Sequence, residues 1–443
     1  MLSDLPPSDM QSNPRAAHTQ IPSEILEHIF ADCVHSTSDA VGHDHTQCFR
    51  SNLEVPPWIA ITYVCRRWRQ ISIGYKFLWT HIAGSFSAEW ITIFLQRSAP
   101  VPLDVDLSLH SWSRQQDLLQ LFQAEMHRVR NLYVRSRFTV SDAEPIHRQL
   151  DVFVSTFAGT PAPALTSLTI DIPPLRFYDM PSVLFNTNAP RLQRLSLSRG
   201  IYPTDPESRL YASLLHLQID SEYTFAQLAA LGTSMPLLQT AVIGSVKTGL
   251  LRMDEPGLVE PALTSLRRLH MRKWDAFVFG LPHLLRLAPN LEELRIQRCQ
   301  RDTPHPPPPA PLHSQEPDLV VQHAAQSLKR LYMPLYALAQ AEALLAIPFG
   351  PAIQLHLHLK SRDEGRDVYA RLAGLLEGRR RMVRSRGSRS LAKGEVGSWR
   401  LAFLEDGGGT LTDYEGRVGE ERGIAAVVPV DVGEEDVGDV GGL

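Results

Sequence analysis

Leu291-Glu292-Glu293-Leu294-Arg295-Ile296 is the stretch on which the reading of this chain turns. Leu294 and Ile296 alternate with charged residues, the period of a half-buried strand, and Leu291 enters that strand from the helical stretch 279–287. The same core recurs at Leu165, Leu168 and Ile170, at Leu192, Leu195 and Leu197, and at Leu214, Leu217 and Ile219. It returns at Leu266, Leu269 and Met271 and at Leu328, Leu331 and Met333, with a degenerate copy at Leu238, Ala241 and Ile243. Successive middle positions are 27, 22, 24, 28, 25 and 37 residues apart, a period that fits one short strand and one returning helix per unit. No such unit buries its apolar face alone, so the units must stack.

The core and its period resemble leucine-rich repeats in a degenerate form, because the usual Asn or Cys position after the strand is missing. That resemblance implies an irregular α/β solenoid over residues 83–404, with a protein substrate bound on the outward faces of its strands and on its loops. Proline stops helices ahead of the next strand at Pro190, Pro236 and Pro289. The 37-residue step holds a proline-rich loop, 302–317, that interrupts one repeat without ending the array. Upstream, 88–98 reads as a helix carrying Trp90, Ile93, Phe94 and Leu95, 103–107 as a strand, 114–126 as a helix and 132–134 as a strand. Downstream, 353–359 and 399–403 extend the sheet, with a helix over 363–377 between them.

Residues 21–82 have a different period. Pro22 and Ser23 open a helix in which Ile25, Leu26, Ile29 and Phe30 form one apolar stripe. A second helical piece, 58–71, puts Ile61, Val64, Cys65, Trp68 and Ile71 on one side and its arginines mostly on the other. A short helix and a strand-like 78–82 follow. Sixty residues in short helices bury too little surface to stand alone, so a partner or a packed neighbour is expected.

Ile21-Pro22-Ser23-Glu24-Ile25-Leu26, then Val64-Cys65-Arg66-Arg67-Trp68-Arg69, then Leu78-Trp79 resemble the three-part pattern of the F-box family, in the same order. The resemblance is to F-box proteins of mushroom-forming fungi, and it departs from them in a long polar insert, 34–54. It implies an all-α F-box module that docks on a Skp-type adaptor and, through it, on a cullin-RING ubiquitin ligase. Pro22, Ile25, Leu26, Ile29, Phe30, Val64, Cys65, Trp68 and Trp79 are the adaptor-binding residues it implies. The chemistry would then belong to other subunits, and this chain would recruit the substrate. The alternative reading is a repeat scaffold for protein interaction whose first module is only a cap.

Cys33, His35, His43, His45 and Cys48 offer five zinc-type side chains around the insert, but their spacing matches no standard pattern, and a solvated loop is the reading preferred. No metal or cofactor is expected. Four scattered cysteines fit a reducing compartment, cytoplasmic or nuclear. The chain holds no run of about eighteen apolar residues, and 1–20 lacks the apolar core of a signal peptide, so no membrane or secretion is expected.

A net charge of −4 gives no general reason to expect nucleic acid. The basic run from Arg379 to Arg389 reads as a solvated helix cap before it reads as an import or RNA-binding signal. Residues 1–20 read as a disordered leader and 405–443 as a disordered acidic, Gly-rich tail. No nucleophile elbow, phosphate loop, dinucleotide fingerprint or zincin motif occurs, so an enzyme is not expected.

Overall fold

The computed structural model describes residues 21–39, 57–109, 112–136, 143–173, 178–181, 184–203, 209–247, 262–274, 277–299, 319–335, 344, 347, 349, 353–359, 399–403 and 412–416. Five stretches read from sequence lie outside them: the leader, most of the polar insert, the proline-rich loop, the helix expected over 363–377 and the arginine run.

The chain opens with α1 (Ser23–Asp39), in which the Leu26 N–H donates to the Pro22 carbonyl at 3.2 Å. The second helical piece is not continuous. A 3-10 turn over Pro57–Tyr63 is followed by α2 (Arg66–Gly74), and the break falls at Cys65. Its backbone is extended (φ −157°), and its Sγ accepts the Trp68 N–H at 3.5 Å as the N-cap of α2. A side chain that caps the new helix cannot also continue the old one. Leu78 and Trp79, expected in a strand, close a 3-10 turn over Lys76–Trp79, and the strand that follows, β1 (His81–Ala83), starts later.

Then come α3 (Ala88–Ser98), β2 (Leu103–Ser108), α4 (Trp112–Glu125), β3 (Val129–Arg135), α5 (Ala143–Phe157) and β4 (Ser167–Asp171). Arg128, almost fully buried, ties this region together by donating to the carbonyls of Leu95 (2.8 Å) and Val101 (3.0 Å) and to Ser98 Oγ (3.0 Å). Among the described residues the next two units show no returning helix of the kind that the repeat predicts. Between β4, β6 (Arg194–Leu197) and β8 (His216–Thr224) stand the short strands β5 (Tyr178–Met180) and β7 (Ile201–Pro203) and two 3-10 turns. Having β7 inside a 22-residue step leaves too few residues for a full helix and its turns.

Helices return later, as α6 (Phe225–Ser234), α7 (Phe277–Leu287) and α8 (Leu319–Ser327) between β8, β9 (Thr240–Lys247), β10 (Arg268–Trp274), β11 (Glu293–Cys299) and β12 (Arg330–Leu335). α6 carries a full capping box between Thr224 and Gln227. β13 (Gln354–Leu359), β14 (Trp399–Phe403) and β15 (Thr412–Gly416) complete the described elements. β15 lies inside the tail expected to be unstructured and pairs antiparallel with β14, Tyr414 opposite Leu401. Composition argued against order there, but a strand needs only an edge to pair with, and β14 supplies one.

The fold is mixed α/β with an open, mostly parallel sheet. Its thirteen strands follow chain order, from β1 to β15, without β5 and β7, which pair with each other. Register holds the repeat positions opposite one another: Leu132, Leu168, Leu195, Leu217, Ala241, Leu269, Leu294, Leu331 and Leu355 form one row across nine strands. Six of the seven units enter their strands by the same turn. The first leucine donates its N–H to the carbonyl three residues earlier in Leu165, Leu192, Leu214, Leu238, Leu266 and Leu291, at 3.0–3.2 Å. One apolar core runs from Leu26 to Ile353, so the N-terminal helices and the sheet share it. Among the described residues, no helix is long and apolar enough to cross a membrane.

Candidate functional site

Two surfaces stand out, one on the N-terminal helices and one on the polar face of the sheet. On the helices the nine residues singled out by sequence part into two sets. Leu26, Phe30 and Trp79 are completely buried. Trp79 stacks edge-on against Trp58 (5.0 Å) and Phe94 (5.1 Å), donates its indole N–H to the Ser72 carbonyl at 2.8 Å and carries the Arg97 guanidinium over its ring. Ile25 is 50% exposed, Ile29 41% and Val64 59%, and Pro22 is exposed at the start of α1. Cys65 and Trp68 are intermediate, Cys65 as the cap of α2 and Trp68 packed on Phe30 at 5.1 Å.

The stripe on α1 therefore splits between an inner pair, Leu26 and Phe30, and an outer pair, Ile25 and Ile29. Sequence reading missed three more outer residues, Tyr63, Ile73 and Phe77. Of nine large hydrophobic side chains exposed among the described residues, six lie between Ile25 and Phe77. Scattered exposed apolar residues need no explanation, and the concentration of these six within one short module sets it apart from the rest of the described residues. Basic side chains border it: Arg67 donates to the Ile21 carbonyl, and Arg69 donates to the Thr62 carbonyl at 2.8 Å and lies over the Tyr63 ring. Of the zinc-type residues, Cys33 is exposed on α1, and 43–48 lie outside the described residues.

The second surface is made by the side chains that alternate with the buried repeat positions. Strand register aligns Gln218, Val242, His270, Arg295 and Tyr332 in one row and Glu222, Ser245, Lys273 and Arg298 in another. Between these rows β8 bulges after Ile219, and Gly244 faces the bulge. A Cβ on Gly244 would sit 2.7 Å from the Asp220 carbonyl carbon and 2.9 Å from the Ser221 nitrogen, so the close approach requires glycine. Ser221 in the bulge accepts the Gly200 N–H at 2.8 Å, which fixes β8 to the β7 arm.

Over this region the sheet forms a cavity of about 610 Å³. Arg272 pairs with Asp220 at 3.0 Å, and Lys247 pairs with Glu222, whose carboxyl is held below its ordinary range chiefly by the Lys247 hydrogen bond. Burial pushes the His270 pKa down, against the opposing pull of Glu293, whose Oε1 lies 3.5 Å from Nε2. Ser245 Oγ is buried with no hydrogen-bond partner among the described residues, and such a group costs about 1–3 kcal/mol. No signal in a single repeat shows this cavity, since its lining comes from units about 25 residues apart. Among the described residues no cluster of side chains is suited to hold a metal ion.

Compared with protein-family models the chain matches none, and none of the curated proteins matches it.

Proposed function

We propose that this chain is the substrate-recruiting subunit of a Skp-cullin-F-box ubiquitin ligase, in which the helices of 21–82 dock on a Skp-type adaptor. The observation that carries this reading is the concentration of exposed apolar side chains at Ile25, Ile29, Tyr63, Val64, Ile73 and Phe77, on the module whose motifs resemble an F-box. The ladder of parallel strands is then a degenerate leucine-rich-repeat solenoid, and its polar face receives a protein substrate. Ubiquitin transfer belongs to other subunits, and the chain works in the cytoplasm, the nucleus or both.

The test is capture of a purified Skp-type adaptor by the full chain. Leu26, buried in the shared core, is a poor probe because its loss unfolds the module. Ile25→Asp with Val64→Asp removes only the outer set. Each truncated anchor is worth about 2 kcal/mol, so the pair should weaken binding by well over tenfold while the melting transition stays in place. Undiminished capture by the folded double variant sinks the reading.

One observation favours the alternative, an interaction scaffold capped by its first module: Trp79 and Leu26 lie in the same core as β1 and β2, as a cap's side chains would. A chain that is stable alone and captures neither adaptor nor cullin supports that second reading.

A further inference from the structure

The cavity on the polar face has a charge imbalance that adaptor docking does not use. Five basic side chains line it against two carboxylates, Asp220 and Glu222, and both carboxylates are engaged, by Arg272 and Lys247. Arg199, Lys273, Arg295 and Arg298 also line it, and none of them has an ion-pair partner among the described residues. Lys273 and Arg298 are direct cross-strand neighbours, and Ser245 flanks Lys273 on the other side. Adjacent strands are about 4.8 Å apart, so three donors of one row span about 10 Å, within reach of a single anion once the long side chains turn toward it. Ser245 is only 4% exposed, lines the cavity and has an Oγ with no partner among the described residues. A buried hydroxyl beside clustered cations lacks the one thing an oxyanion supplies, an acceptor.

We propose that this cavity binds a phosphate-type dianion, held by Lys273, Arg298 and Arg199 and by a hydrogen bond donated from Ser245 Oγ. Several cations that make no ion pair among the described residues favour a dianion over a single carboxylate, and arginine's planar fork suits phosphate oxygens. The volume lies in the range of small-ligand sites. The proposal is independent of the adaptor reading and holds whichever partner the N-terminal helices take.

Calorimetric titration of the full chain tests it, at constant ionic strength set with chloride. The probes are inorganic phosphate, a heptapeptide whose only charged side chain is one phosphoserine, and the same peptide unphosphorylated. The phosphate-bearing probes should bind saturably and the unphosphorylated peptide should not. Lys273→Gln with Arg298→Gln should weaken binding at least tenfold, and Lys329→Gln, on the exposed pair with Glu292, should leave it unchanged. Ser245→Ala should weaken binding several-fold without lowering the melting temperature of the unliganded chain, because its hydroxyl makes no hydrogen bond among the described residues. A phosphopeptide bound more than tenfold tighter than phosphate identifies a modified protein segment as the source, and equal affinities identify a free phosphate. Absence of saturable binding by either probe overturns the proposal. So does binding retained in both Ser245→Ala and the double variant, and Ser245→Ala alone decides if the double variant fails to fold.

Discussion

The N-terminal helices and the strand ladder use the same apolar residue types in opposite ways. In the ladder the repeat positions Leu168, Leu195, Leu217, Leu269, Leu294 and Leu331 are at most 2% exposed, so the apolar period is consumed by stacking. In the helices the stripe is divided, Leu26 and Phe30 inside and Ile25 and Ile29 outside. A strand in a layered sheet has one apolar face and one core to meet. A helix in a small module has a stripe wider than the single neighbour that covers it, and the remainder stays exposed. The lesson is that a stripe on a short helix locates a surface without saying which half of it is structural.

Truncating the inner set of the helices breaks this comparison most severely. Trp79→Ala removes a fully buried indole with two aromatic neighbours and one hydrogen bond, and should cost about 3–5 kcal/mol in chemical denaturation. A cost below about 1 kcal/mol would show that the helices do not share the core of the sheet. Leu269→Ala and Leu294→Ala, opposite each other on β10 and β11, should each cost about 2–5 kcal/mol and lower one common melting transition. Two separate transitions would divide the ladder into independent parts.

Gly244→Ala probes the bulge. The new Cβ meets backbone on β8, and a loss of about 1–3 kcal/mol is expected, with distortion of the cavity. Wild-type stability for this variant would mean that the strands part easily there. Ile25→Asp with Ile29→Asp should change stability by no more than about 0.5 kcal/mol for each substitution, since both side chains are outside. A large loss would move them into the core and remove the contrast altogether.

The smallest effect is one of pH and belongs to the ladder. His216, His270 and His283 titrate below the ordinary value near 6.5, in each case chiefly because burial disfavours the charged ring. The unfolded chain then binds protons that the folded chain refuses. Their contribution is fully present above about pH 6.5 and is lost as pH falls through that value toward the lower folded pKa. Denaturation midpoints should therefore drop between about pH 7 and pH 5, and His270→Gln should flatten the slope. An unchanged slope would show that His270 is not held neutral in the folded chain.

Sequence alone determined the ladder. Period-two alternation puts every second side chain on one face, and repetition about every 25 residues puts equivalent leucines opposite one another, so the degenerate Ala241 copy falls in register with Leu217 and Leu269. The strands read at 103–107 and 132–134, which extend over 103–108 and 129–135 in the structure, and the helix of 88–98 were legible for the same reason, since local period and caps fix them. Tertiary structure decided what depends on neighbours distant in sequence. It broke the second helix at Cys65, turned Leu78 and Trp79 into a 3-10 turn under Phe94, and sorted Ile25 from Leu26 by which side the sheet's core covers. It also assembled Ser245, Lys273 and Arg298 around one cavity, because strand register, and not sequence spacing, makes them neighbours.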